Sequence, residues 1–469
     1  MMRSLFSGVS GLKSHQIRMD VIGNNIANVN TTGFKSSRTT FADTLSQTLS
    51  GASAPQDNIG GTNPKQIGLG TGVASIDLLF TDGSVQSTGK NTDLCLSGNG
   101  LFVVKRGSET YYTRDGAFEF DAEGNYVLPS SGLYVQGWTA ADGVLNTSGA
   151  AGNIKIAAGK SMAAKATAKA TYANNLNAGA PTISSITDGK TTYDAKTTGS
   201  LTASTTTPVT ITMSDGSTVT ETTGKYTVGQ SLPVTTTLTV YDALGNAHSV
   251  PVYFTKTKTD STNGNTWTVS INTDGSNKSS ITESDGTTTS IDMTDQSLQF
   301  TTDGKYKSGS GTVTLTLTNG ATGTQTVTLD LSKLTQYSGK STVNGTPDGN
   351  AAGTLSSVSV DSSGIITGTY TNGVKQTEAQ VAVAQFTNAS GLTKTGNSLY
   401  QESNNSGTAN VKTAADLGVT ITPSALEMSN VDIANEFSDM IITQRGFQSN
   451  SKIITVGDEM LETLINMKR

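Results

Sequence analysis

Both ends of this 469-residue chain place apolar residues at the spacing of an α-helix, and almost nothing between them does. In residues 1–30 a broad stripe runs through Leu5, Val9, Leu12, Met19, Ile22 and Ile26, and a narrower one through Phe6, Ile17 and Val21. In residues 428–469 the broad stripe is Ile433, Phe437, Met440, Ile441, Phe447, Ile454, Leu461 and Ile465. Its companion is Ile442, Ile453, Val456, Met460, Leu464 and Met467. One partner covers one stripe, so pairing the two ends within a chain leaves the second stripe of each exposed. Burying an apolar side chain is worth roughly 1.5–3 kcal/mol, so half a dozen contribute about 10 kcal/mol before entropy. Isolated helices are marginal in water. The pattern therefore predicts ends that are largely disordered in the monomer and fold against copies of the chain.

The finer signals within these segments carry their own expectations. Ser429-Asn430-Val431-Asp432 reads as a capping box with Glu436 just beyond the first turn, and Lys468-Arg469 complement the dipole at the far end. A glycine inside a helix costs about 1 kcal/mol against alanine, so Gly446 and Gly457 point to close helix approach. Gln16, Asn24, Asn25, Gln444 and Asn450 among the stripes are expected to set register by hydrogen bonds between helices.

Between the ends the chain reads as short strands and tight turns. Residues 31–70 are polar and glycine-punctuated without a clear period, which predicts an extended connector with Phe34 and Phe41 as its anchors. Residues 71–165 carry Asp82-Gly83, Asn99-Gly100, Asp115-Gly116 and Asp142-Gly143, read as hairpin turns because these pairs tolerate positive φ. Residues 353–427 resume that texture. From 166 to 352 the composition shifts to threonine alternating with Val, Leu and Ile, as in TVTLTLTNG. The expected architecture is mainly β with paired terminal helices. A discontinuous middle domain (71–165 and 353–427) is interrupted by an inserted Thr-rich β-domain (166–352), in which 182–233 has the length of an extra lobe.

Several function classes fall away. Net charge is −6 with no basic block, which argues against nucleic acid. No apolar run approaches the roughly 18 residues of a membrane span, and the interrupted N-terminus lacks the apolar core of a cleaved signal peptide. The single cysteine, Cys95, excludes an intrachain disulfide and reads as a small buried hydrophobe. With only His15 and His248, a histidine-centred triad or metal site has no residues to build from. Gly68-Leu69-Gly70-Thr71-Gly72 lacks the Lys-Ser/Thr ending of a phosphate loop, and Asp361-Ser362-Ser363-Gly364 lacks the ligand spacing of a calcium loop. The chain is expected to be a non-enzyme with no cofactor and no metal.

ANVNTTGFKSSRTTF at 27–41 and NVDIANEFSDMIITQRGFQSNSKIITVGDEMLETLINM at 430–467 resemble the opening and closing signatures of the flagellar rod and hook axial protein family. LTVYDALGNAHSVPVYF at 238–254 and GTYTNGVKQTEAQVAVAQFTNASGLTKTGNSLYQESNNSG at 368–407 resemble the hook branch of that family, which also suits the large insertion. The resemblance implies a subunit of a helical tube that joins rod to filament and passes torque as a universal joint. It implies terminal helices around a central export channel, and uncleaved export through the flagellar type III apparatus to the cell surface. Implied partners are other copies of the chain and the rod, hook-cap and hook–filament junction proteins. The alternatives are a distal rod subunit, distinguished by the 238–254 phrase and the length, and a secreted β-rich adhesin, which leaves the two amphipathic ends unexplained.

Overall fold

The structure, a computed structural model, describes residues 2–55, 60–283, 286–294, 297–321 and 323–467. The Lys468-Arg469 pair expected to complement the closing helix lies outside the described residues. Two compact units form: residues 1–160, 355–369 and 375–469 make the first, and 161–354 with 370–374 the second.

The first unit opens with helix α1 (Met2–Ala27) and closes with helix α2 (Ile433–Asn466), the two α-helices among the described residues. Its β-core is built from both sides of the insertion. Leu101–Arg106 forms a hairpin with Glu109–Thr113 and pairs with Leu133–Thr139, which in turn pairs with Lys375–Val381 through Gly137 and Val381. Val383 pairs with Phe102. Beneath this sheet lie Phe102, Phe118, Tyr126, Leu133, Val135, Ile366 and Val381, all fully buried.

Three expectations are corrected here. The connector is not irregular: Ser37–Asp43 pairs antiparallel with Thr71–Leu78, and Ser46–Ser50 with Lys65–Gly68. These strands are mostly exposed on both faces, so no alternation of apolar and polar residues announced them. Of the four Asx-Gly pairs, Asp142-Gly143 makes a two-residue turn, with φ of 50° and 80° between the bridged Ala141 and Val144. At Gly83 and Gly116 the lack of a side chain instead admits a crossing backbone, since an added Cβ would lie 1.9 Å from the Met428 carbonyl oxygen and 1.6 Å from that of Leu94. The hairpin of the core turns at Gly107, φ 59°. Finally, both ends are helical in the single chain, where disorder was expected, because each finds a partner in the other.

The second unit is a β-sandwich. A five-stranded sheet (Val234–Tyr241, Ala247–Lys258, Thr266–Ser270, Ser297–Phe300, Tyr306–Gly309) and a six-stranded one share a core around Tyr172, Phe254, Trp267, Phe300 and Leu331. Strand Lys169–Asn177 runs parallel to Thr324–Tyr337. Residues 183–227 fold separately within this unit. A four-stranded sheet and a two-stranded ladder enclose Ile183, Ile186, Val209, Ile211, Met213 and Tyr226. Strands of alternating Thr and Val/Leu/Ile keep the branched apolar side chains inside and the hydroxyls outside, which is what a thin core in water requires.

Candidate assembly interface

The two terminal helices pack antiparallel. Arg18 Nη2 meets Asp439 Oδ2 at 3.0 Å, and Asn25 Nδ2 donates to Glu436 Oε1 at 2.9 Å. A Cβ on Gly446 would touch the His15 ring at 2.7 Å, one on Gly457 would touch Leu5 at 2.8 Å, and one on Gly11 would touch the Asn450 amide at 2.7 Å. The glycines expected to mark close approach thus receive side chains from the opposite helix. On α2 the seam follows Glu436, Thr443, Asn450 and Gly457, every seventh residue, and on α1 it includes Gly8, Gly11, His15 and Asn25. Burial beside Arg18 pulls the His15 imidazole below its ordinary range, which keeps a ring inside the seam neutral. Burial pushes the Glu436 carboxyl up, against the Asn25 amide that donates to it.

This seam is small and polar, and it lies between the apolar stripes, not along either. Of the broad stripe on α1, Ile22 is buried, Leu5, Leu12, Met19 and Ile26 are half-buried, and Val9 is exposed. On α2, Met440, Ile454 and Leu461 are half-buried, while Phe437, Ile441, Phe447 and Ile465 are exposed. The second stripe of α2 is exposed throughout, from Ile442 at 60% to Met467 at 73%. Val456, Met460 and Leu464 line one shallow groove along it. The helix pair therefore presents apolar surface on both of its flanks. Six side chains left about half-exposed hold back roughly 5–9 kcal/mol of burial.

Local chemistry fixes how α2 begins. Its N-cap is Asp432, whose Oδ1 accepts from the backbone N–H of Ala434 and Asn435 at 2.9 and 3.3 Å. Glu436 does not close the expected box, because its carboxylate is turned to Asn25. Asn25 is the one member of the expected polar set whose hydrogen bond crosses between the helices among the described residues. Gln16, Asn24 and Gln444 are exposed, and Asn450 donates to Gly446 in its own helix. Asn25 also exchanges two hydrogen bonds with the Ser37 backbone, at 2.9 and 3.0 Å, so one amide joins α1, α2 and the first strand. Ser10 Oγ accepts from Thr71 N–H at 3.2 Å, which holds α1 to the partner strand.

The stretch after α1 carries an anchor that the charges alone did not signal. Lys35, Arg114 and Glu427 are all buried to within 1%. Lys35 Nζ lies 2.6 Å from Glu427 Oε1 and donates to the Thr81 carbonyl at 2.6 Å. Arg114 reaches Glu427 Oε2 at 3.2 Å, Asp82 at 3.3 Å, and the carbonyls of Leu96 and Gly98. Burial pulls the Lys35 ammonium below its ordinary range despite the Glu427 charge. Gly33, φ 63°, donates its N–H to the Glu427 carbonyl, and Asn430 bonds Ser36 and Leu79. Phe34 is buried with Lys394 Nζ 3.8 Å from its ring centroid, whereas Phe41 is 37% exposed beside His15 and Arg18. Lys35 sits inside the first quoted end signature and Glu427 three residues before the second, but nothing in a single sequence pairs a lysine at 35 with a glutamate at 427.

Cys95 is buried, and burial pushes its thiol up to about 11. Among the described residues no group of His, Cys, Asp and Glu has metal-site geometry, and no helix is long and apolar enough to cross a membrane.

Comparison with known proteins places these elements in a family. Residues 5–35 match the flagella basal body rod protein profile, and 422–467 the flagellar basal body rod FlgEFG protein C-terminal profile. Residues 95–172 match the flagellar hook protein FlgE/F/G D1 domain, and 228–350 the flagellar basal body protein FlaE D2 domain. The sequence is 39% identical over 508 residues to the flagellar hook protein FlgE of Treponema pallidum, covering all of both chains. It is 37% identical over 486 residues to that of Borreliella burgdorferi, again with full coverage of both. The flagellar basal-body rod protein FlgG of Bacillus subtilis is 30% identical over 473 residues, with full coverage of both chains. With this identity sustained from the first helix to the last, the chain belongs to the FlgE flagellar hook protein family.

Proposed function

We infer that this chain is the repeating structural subunit of a flagellar hook, a non-enzymatic protein that polymerises into a curved tube between rod and filament. One observation carries the reading: both flanks of the α1–α2 pair are apolar and exposed, on either side of a seam that is itself small and polar. Two unlike flanks favour head-to-tail contacts, which propagate into rings or helical assemblies and do not stop at a dimer. The helix pairs would form the inner wall around a central channel. The hydroxyl-covered strands of the second unit would meet neighbours through wet contacts that shift as the tube turns and transmits torque. Rod, cap and junction proteins would bind the ends of the same tube, and the type III apparatus would export the subunit uncleaved to the cell exterior. Full-length similarity to a FlgG rod protein supports a second reading, a subunit of the distal rod.

Deletion of residues 2–28 or 431–467 tests the assembly role. The remaining β-units should stay folded by circular dichroism and form no tubes by electron microscopy at high concentration. Tubes from either truncated chain would overturn the role assigned to the helices. The two readings separate on shape, since curved, flexible tubes are expected of a hook and straight ones of a rod.

A further inference from the structure

Within the second unit, a cleft of about 260 Å³ separates the small fold of residues 183–227 from the sandwich. Its walls are largely polar. From the small fold come Lys225, Thr227 and, just beyond it, Gln230; from the sandwich come Thr255, Thr268 and Asp274. The Gln230 side chain and the hydroxyls of Thr227, Thr255 and Thr268 are half-buried, and among the described residues they make no hydrogen bond within the protein. These four line one space open to water, so their donors and acceptors are free to meet a polar ligand there. Tyr226, Ile183 and Pro233 supply the remaining apolar wall. Lys225 and Asp274 interact electrostatically, so the cleft carries no net charge from this pair.

The cleft also lies beside the two chain segments that enter and leave the small fold. The chain enters the small fold near residue 180 and leaves near 231, and both stems are held by Lys256. Its Nζ donates to the carbonyls of Ala178 and Ala180 at 3.1 and 2.6 Å, and its backbone exchanges hydrogen bonds with Ser231. Lys256 is 4% exposed and makes no ion pair among the described residues. Its position next to Thr255 and Thr257 ties both stems to the wall of the cleft.

We propose that this cleft binds a neutral saccharide of one or two rings, with the hydroxyls of Thr227, Thr255 and Thr268 and the Gln230 amide bonding its hydroxyl groups. Its size sits just below the roughly 300–1,000 Å³ of small-molecule sites, which limits the occupant to that length. Closely spaced donors and acceptors match the edge of a pyranose, and the Tyr226 side packs its C–H face. The absence of net charge excludes phosphorylated and uronic ligands as the preferred class.

Saturation-transfer NMR on the full chain tests this with D-glucose, D-galactose, N-acetylglucosamine and maltose at millimolar concentration. At least one should show transfer from the protein. The Thr255→Val/Thr268→Val variant, losing two hydrogen-bonding groups, should weaken that binding by about tenfold or more. Thr314→Val/Thr326→Val, on a cross-strand pair of the other sheet, should leave it unchanged. Gln230→Ala serves the same purpose if the double variant fails to fold. The proposal is overturned if none of the four sugars shows transfer, or if the cleft variants bind as well as the parent.

Discussion

Replacing Glu427 by Ala removes the one carboxylate that faces both buried cations. Three contacts go with it: Lys35 Nζ at 2.6 Å, Gly83 N–H at 2.9 Å and Arg114 at 3.2 Å. Arg114 keeps Asp82 and two carbonyls, whereas Lys35 keeps the Thr81 carbonyl as its one hydrogen bond and only the more distant Asp82 as countercharge. Breaking a buried pair by removing one member typically costs about 3–5 kcal/mol, most of it the uncompensated charge that remains. That predicts the size of the loss here, and it predicts its repair. Removing Lys35 as well, in Lys35→Met/Glu427→Met, should recover at least about 1 kcal/mol, because the stranded ammonium is gone, although Gly83 N–H and Arg114 still lose their partner. The chain has two tryptophans, Trp138 in the first unit and Trp267 in the second. In a Trp267→Phe background, guanidinium unfolding followed by Trp138 fluorescence therefore reports on the unit that holds the anchor. A loss below about 1 kcal/mol for Glu427→Ala, or a double variant no more stable than the single, would refute the reasoning.

Gly33→Ala should be similarly damaging to the first unit, by several kcal/mol, because φ is 63° and the new Cβ would lie 2.4 Å from the Asp115 backbone nitrogen; the same fluorescence assay measures it. In the second unit, burial pushes the Asp242 carboxyl up, but the amides of Asn246 and Asn319, the Asn246 N–H and His248 outweigh it and hold its pKa at about 2. A depressed carboxylate stabilises the fold above its unfolded pKa near 4, and that contribution is lost as pH falls through the folded value. Roughly 2–3 kcal/mol should therefore disappear between about pH 4 and pH 2, and Asp242→Asn should flatten that part of the profile followed by Trp267 fluorescence. Ile442→Ser/Met460→Ser changes side chains that are 60% and 46% exposed, so unfolding should shift by no more than about 0.5 kcal/mol per site while tube formation in electron micrographs is lost.

How much of this was legible in the sequence depends on where the information resides. The helices announced themselves because an apolar period over two dozen residues has few other physical readings, and the large Thr-rich insertion showed as a change of composition. What pairing the helices would adopt did not follow. The stripes drew attention to Leu, Ile and Phe, whereas the seam runs through Gly8, Gly11, Thr443, Asn450 and Gly457, residues whose importance lies in being small. The strand at 71–78 was legible, but its partner at 37–43 and the ladder of 46–50 with 65–68 were not, because those strands are mostly exposed. Three of four Asx-Gly pairs make no hairpin: Gly83 and Gly116 admit a crossing backbone, and Gly100 admits the Val383 side chain. Lys35, Arg114 and Glu427 form a tertiary fact, carried by neither period nor composition. Phe34 and Phe41 look alike in the sequence, yet one is buried under a lysine and the other left open beside α1.

The partners Lys35 and Glu427 stand 392 residues apart. Whatever delivers this polypeptide end-first, the clasp behind the opening helix has to wait until the opposite extremity arrives. Without that carboxylate a lone ammonium has no reason to leave water. Closure of the first unit therefore requires both extremities of the chain, which meet at Glu427 with Lys35 and Arg114.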